Sequence, residues 1–199
     1  MRISKNFLRN ISFGFLALGI LSVLYSAYLL THQVEIKKDY QLAALLSGQE
    51  KTLNLDLPTQ SSDCEIQGPL PDSDCTPGAI FVNVSKDDIC VAGYSKTVRN
   101  VSNSLKKKVF ARYDISYPVP FGSYEVDHLI PLSLGGNNDI ANLWPKSAEP
   151  FPGFYEKNIV GNYLREEVCN GDVALSVAQE LIAKNWFSIY QNLDARTIE

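Results

Sequence analysis

One stretch decides the fold: Tyr124-Glu-Val-Asp-His-Leu-Ile-Pro-Leu-Ser-Leu-Gly-Gly-Asn-Asn-Asp-Ile-Ala-Asn-Leu-Trp-Pro145. Its opening run, Tyr124–Ser133, is β-branched and apolar and suits a strand. Gly135-Gly136-Asn137-Asn138 follows, where a tight reversal can take the positive φ angles that glycine tolerates. Ile140–Pro145 reads as the return strand. A helix is expected from Phe154 to about Cys169, with Tyr155, Ile159, Asn162, Tyr163 and Val168 turned inward. Strand, reversal, strand and helix in this order make a ββα unit, so the fold class is α+β.

Outward from that unit, Ala79–Val84 alternates as a short strand. Ser102 or Ser104 can cap a helix running to about Tyr113, with Leu105, Val109 and Tyr113 on one stripe. Pro118 and Pro120 mark a turn. Downstream, Asp172 is the expected cap of a last helix whose stripe is Leu175, Ala178, Leu181, Ile182, Trp186 and Ile189. The compact domain is expected over residues 76–199.

The chain before it divides in two. Ile11–Leu30 is a 20-residue run without charge, long enough as a helix to span about 30 Å of hydrocarbon. Arg2, Lys5 and Arg9 precede it, which places the N-terminus in the cytoplasm and the remainder outside. Residues 1–34 are therefore read as a signal anchor that ties the protein to the inner membrane, with the domain in the periplasm or outside the cell. The competing reading is a cleaved signal peptide and a secreted protein. The run exceeds a usual signal core, and no small-x-small cleavage site follows it. Residues 35–75 read as an acidic linker, broken by Pro58, Gly68, Pro69 and Pro71, with a short helix expected over Tyr40–Leu53.

The net charge of −4 over 199 residues is unhelpful for a nucleic-acid binder until it is divided. Residues 31–75 hold three lysines against eight acidic residues, while residues 76–199 hold 12 basic and 14 acidic ones. Between Lys96 and Arg112 stand Lys96, Arg99, Lys106, Lys107, Lys108 and Arg112 without one carboxylate. Such a patch can hold a phosphate backbone, or it can be a solvated helix face. Four cysteines, Cys64, Cys75, Cys90 and Cys169, form an even set in a chain bound for an oxidising compartment. They lack metal-ligand spacing. Two disulfides are expected, with Cys64–Cys75 and Cys90–Cys169 the preferred pairing of three.

The Asp127-His128…Gly135-Gly136…Asn142-Leu-Trp-Pro string resembles the HNH endonuclease signature of the ββα-metal superfamily. Gly93-Tyr-Ser-Lys-Thr-Val-Arg99 before it, and Val168-Cys-Asn-Gly171 with Ala178–Trp186 after it, resemble an exported bacterial subgroup; together the resemblance covers about residues 75–190. It implies a metal-dependent endonuclease acting on DNA or RNA. His128 would be the general base, since an imidazole can take a proton near neutral pH. Asp127 would be a ligand for one divalent cation, Mg2+ or Mn2+. Asn142 would hold the loop through backbone hydrogen bonds. On the helix the subgroup usually carries Lys-Asp-x-x-Glu, and this chain has Lys157-Asn158-Ile-Val-Gly161. Asn162 is therefore the first further metal ligand expected and Asn158 the second, one turn apart on one helical face.

In a regular strand Asp127 and His128 point to opposite faces, so the reading requires a twist or bulge there. Arg99, Lys106, Lys107 and Lys108 are the expected nucleic-acid contacts, and Trp144 reads as core packing. No protein partner is evident in the sequence. The alternative function is a non-catalytic envelope protein that keeps the scaffold for binding.

Overall fold

Ser85 opens the first helix through a capping box: its hydroxyl accepts from Asp88 N–H, and Asp88 Oδ2 accepts from Ser85 N–H. That helix, α1 (Lys86–Ile89), is followed by α2 (Tyr94–Val98) and α3 (Asn103–Arg112). Ser102 caps α3 by accepting from Leu105 N–H at 3.1 Å. Then come β1 (Tyr124–His128), β2 (Leu143–Ser147), α4 (Phe154–Asn170), α5 (Leu175–Lys184) and α6 (Trp186–Asn192). The structure is a computed structural model that describes residues 57–193. It is an α+β arrangement with one two-stranded antiparallel sheet among helices. The apolar run Ile11–Leu30 and the helix expected over Tyr40–Leu53 lie outside the described residues. Among the described residues, no helix is long and apolar enough to cross a membrane.

β1 and β2 pair without a bulge from Tyr124↔Ser147 to His128↔Leu143. The first strand is shorter than the apolar run that suggested it. Ile130 N–H and C=O are taken by the side chain of Asn142, not by a strand neighbour. The chain therefore bends after His128 and tightens into a 3₁₀ turn over Leu132–Leu134. A second 3₁₀ turn, Ile140–Asn142, opens on Asp139, whose Oδ1 accepts from Ala141 N–H, so the return strand starts only at Leu143. Gly136 is required where it stands. A Cβ there would lie 1.7 Å from Ile130 O.

Four other expectations change. Ala79–Val84 is not a strand; Ile80 makes one isolated bridge to Gly136, because its neighbour is the hairpin loop and not a strand edge. The stripe of α4 is Phe154, Lys157, Val160, Gly161, Leu164 and Val168, all buried, while Tyr155 and Asn162 are exposed. The last helix is two helices, broken at Asn185. Asp172 does not cap α5. It sits in the turn that ends α4, where Gly171 takes φ 91° and Asp172 N–H donates to Glu167 O.

The core gathers Trp144 from the hairpin, Ile130 and Leu134 from its loop, Val160 and Leu164 from α4, and Ile182, Trp186 and Ile189 from α5 and α6. The last part of the acidic stretch also joins the domain. Cys64 is bonded to Cys75, Cys64 N–H donates to Arg112 O, and Trp186 Nε1 donates to Pro69 O. The second disulfide, Cys90–Cys169, ties the end of α1 to the end of α4.

Candidate active site

Among the described residues β1 has a partner on one side only, and a cleft of about 280 Å³ meets four of its consecutive residues, Glu125, Val126, Asp127 and His128. A strand's unpaired edge can be approached from both faces. This is how Asp127 and His128 border one space without the bulge that alternation had seemed to require. The cleft is also lined by α4 through Asn158 and Asn162, both exposed, by Ser95 near the start of α2 and by Arg99 just after its end. Four residues singled out in sequence, Asp127, His128, Asn158 and Asn162, thus share one cleft, with Arg99 beside them.

His128 is only 3% exposed, and burial lowers its pKa to about 4, with Arg99 and Lys157 adding to that direction. The imidazole is therefore neutral at pH 7. Its Nε2 lies 3.2 Å from Asn138 Oδ1. That amide has a defined orientation, because Oδ1 also accepts from Asn100 N–H and Nδ2 donates to Val98 O. An acceptor oxygen facing Nε2 places the ring proton on Nε2 and leaves the lone pair on Nδ1. Sequence reading treated Asn138 as a turn residue. No local signal marks its role, since its partners stand 10 and 40 residues away.

Asp127 is 7% exposed, and its Oδ2 lies 2.8 Å from Lys157 Nζ. Lys157 is 1% exposed and also donates to His128 O. One ammonium thus fixes both the carboxylate and the backbone of the following residue. Lys157 was not among the residues expected inward, yet it belongs to the buried stripe of α4. Glu125 was missed as well. It lies two residues from Asp127 on the same strand face. Burial, and then the Asp127 carboxylate, push its carboxyl above the usual range, while Lys157 and Asn158 pull the other way.

Asn142 is fully buried and touches no part of the cleft. Its amide accepts from Ile130 N–H and donates to Ile130 O and Asn137 O, which pins the loop that carries Asn138. The basic patch is dispersed by helical geometry, since successive residues on a helix point about 100° apart. Arg99 and Lys106 border a second cleft that adjoins the first. Lys107 is exposed, and Lys108 lines a separate hollow with Pro58, Gln60 and Ile140. Arg112 is buried and structural, donating to Ile140 O, Gln60 O and Cys75 O.

The oxygen donors at the cleft include two carboxylates, Glu125 and Asp127, and two amides, Asn158 and Asn162. Hard oxygens of this kind suit Mg2+ or Mn2+. Asp127 Oδ2 is buried and already paired with Lys157 Nζ, which leaves Oδ1 as the oxygen of that carboxylate for a cation. Among the described residues, no three His, Cys, Asp or Glu side chains converge as a ready-made cage. The set fits a cation that keeps several of its waters, as Mg2+ does. Comparison of this chain with protein-family models, with curated proteins and with solved structures returned no match.

Proposed function

We propose that this protein is a metal-dependent endonuclease of the HNH type, with a ββα-metal core, that hydrolyses phosphodiester bonds of DNA or RNA outside the cytoplasm. The observation that carries the reading is the convergence of His128, Asp127, Asn158 and Asn162 on one cleft with Arg99 at its rim. In this reading the neutral imidazole of His128 accepts a proton from water at Nδ1, and the water oxygen attacks phosphorus as the bond to the leaving oxygen breaks. Nε2–H stays with Asn138. The Arg99 guanidinium offers a phosphate two parallel donors. Asp127, Glu125, Asn158 and Asn162 are the residues that would hold the cation. When bound, such a cation neutralises charge on the scissile phosphate and on the departing oxygen.

A nicking assay on supercoiled plasmid, with the full-length protein and Mg2+, tests this. The wild type is expected to nick, EDTA to abolish nicking, and His128→Ala to lower the rate by roughly 10²–10⁴-fold. Nicking that survives His128→Ala overturns the mechanism. The second reading, a non-catalytic envelope protein with nucleic-acid affinity, draws on the Lys157–Asp127 ion pair, which already neutralises the main ligand. It predicts binding of plasmid without any cut.

A further inference from the structure

The cleft at β1 continues into a second one of about 580 Å³, and the two share Arg99, Glu125 and Val126. The second is of another character. Aromatic rings line it, and two of them reach solvent: Tyr117, about two-fifths exposed, and Phe121, fully exposed. A lone exposed ring is unremarkable on a protein surface. Here the backbone turn sets the residue outward. Ser123 N–H and Oγ both bind Pro120 O, closing a turn in which Gly122 takes φ 78° and Phe121 stands at the tip. Tyr117 is braced from behind by the buried ring of Phe110, 5.5 Å between centroids. Lys106 and Arg99 line the same cleft, so cationic side chains accompany the rings.

Solvent-facing aromatic rings in a cleft that also holds two cations, next to the proposed phosphodiester-cleaving cleft, match a strand whose bases are unpaired. The cations meet successive phosphates, and the rings meet the face of a base. In a duplex those faces are covered by neighbouring base pairs, so a ring beside the cut has nothing to stack on unless a base is extruded. We propose that the Tyr117–Phe121 cleft is a nucleobase-stacking subsite and that the preferred substrate is single-stranded nucleic acid. This rests on the nuclease reading for the identity of the neighbouring site. The Glu125 carboxyl at the junction lies between the two clefts and repels a phosphate there when charged, which leaves Arg99 and Lys106 as the anchoring points.

The test uses the full-length His128→Ala protein in EDTA, which suppresses residual cutting, and a fluorescent 12-nucleotide DNA, alone or annealed to its complement. Anisotropy is expected to give at least tenfold tighter binding of the single strand. Phe121→Ala in that background is expected to weaken single-strand binding roughly 5- to 100-fold and to leave the duplex unchanged. Phe121→Trp is expected to restore it. Equal affinity for both forms, or single-strand binding indifferent to Phe121→Ala, overturns the subsite. Binding of Phe121 to vesicles of anionic lipid in place of DNA overturns it too. The two readings fail separately. Wild-type cleavage of both forms at one rate removes the subsite and keeps the nuclease, whereas Phe121-dependent binding with no cleavage by the wild type keeps the subsite and removes the nuclease.

Discussion

Asn138 is held at both ends of its amide, by Asn100 N–H and Val98 O, before it meets His128. A residue so fixed imposes one tautomer on the imidazole, and it does so without touching substrate. Asn138→Leu removes the acceptor for Nε2–H, so the ring can turn or carry its proton on the wrong nitrogen. The expected result is a fall in kcat of roughly 10- to 100-fold, a fraction of what a general base supplies in full, with KM little changed. Asn138→Asp keeps an acceptor oxygen and is expected to recover most of that loss. Equal losses in both variants, or a rise in KM with kcat intact, mean that Asn138 only supports the loop. His128 and Asp127 were legible in the sequence because they are adjacent within a long motif. Asn138 and Glu125 were not, because their roles depend on tertiary neighbours that no local spacing announces.

Elements were legible where an apolar period and a cap coincide, as in α3 with Ser102. They were less so where a side chain takes over backbone groups, as Asn142 does at Ile130, or where a charged residue belongs to the buried stripe. β2 carries a second such residue. Trp144 and Lys146 lie two apart on one strand face, and Lys146 Nζ stands 4.9 Å from the Trp144 ring and 4.5 Å from the Trp186 ring. Burial lowers its pKa to about 8, against the attraction of Asp127. The charged form is then less favoured in the folded protein than in the unfolded chain, whose lysine titrates near 10.5. The unfolded chain holds more protons between those values, so stability rises with pH across that window. Below pH 8 the penalty is complete. Urea midpoints of wild type and Lys146→Met, compared from pH 7.5 to 10.5, are expected to show the wild type gaining on the variant as pH rises. Parallel curves mean that contact with the two rings offsets the cost of burial.

For the molecule as a whole, the two-stranded sheet is too small to hold the upstream arm by pairing, and Ala79–Val84 contributes a single bridge. The arm from Lys86 to Arg99, which brings Arg99 and the Val98 carbonyl to the site, is instead joined covalently to α4 by Cys90–Cys169. That bond closes 79 residues of chain, against 11 for Cys64–Cys75. In the chain-entropy model the longer closure contributes about 4.5 kcal/mol and the shorter about 3 kcal/mol. Cys90→Ala/Cys169→Ala is therefore expected to cost more stability than Cys64→Ala/Cys75→Ala. It is also expected to lower kcat/KM in the protein that remains folded, because Arg99 and the support of Asn138 travel with the arm. The shorter bond ties residues 64–75 to the rear of α3 through Arg112, away from the cleft, so its loss should reduce stability with kcat/KM preserved. Urea unfolding and cleavage assays at a temperature where both variants are folded separate the two effects. Equal loss of activity in both pairs means that the arm is held by its contacts with α4, including Arg165 Nε on Ile89 O, and not by the sulfur bridge.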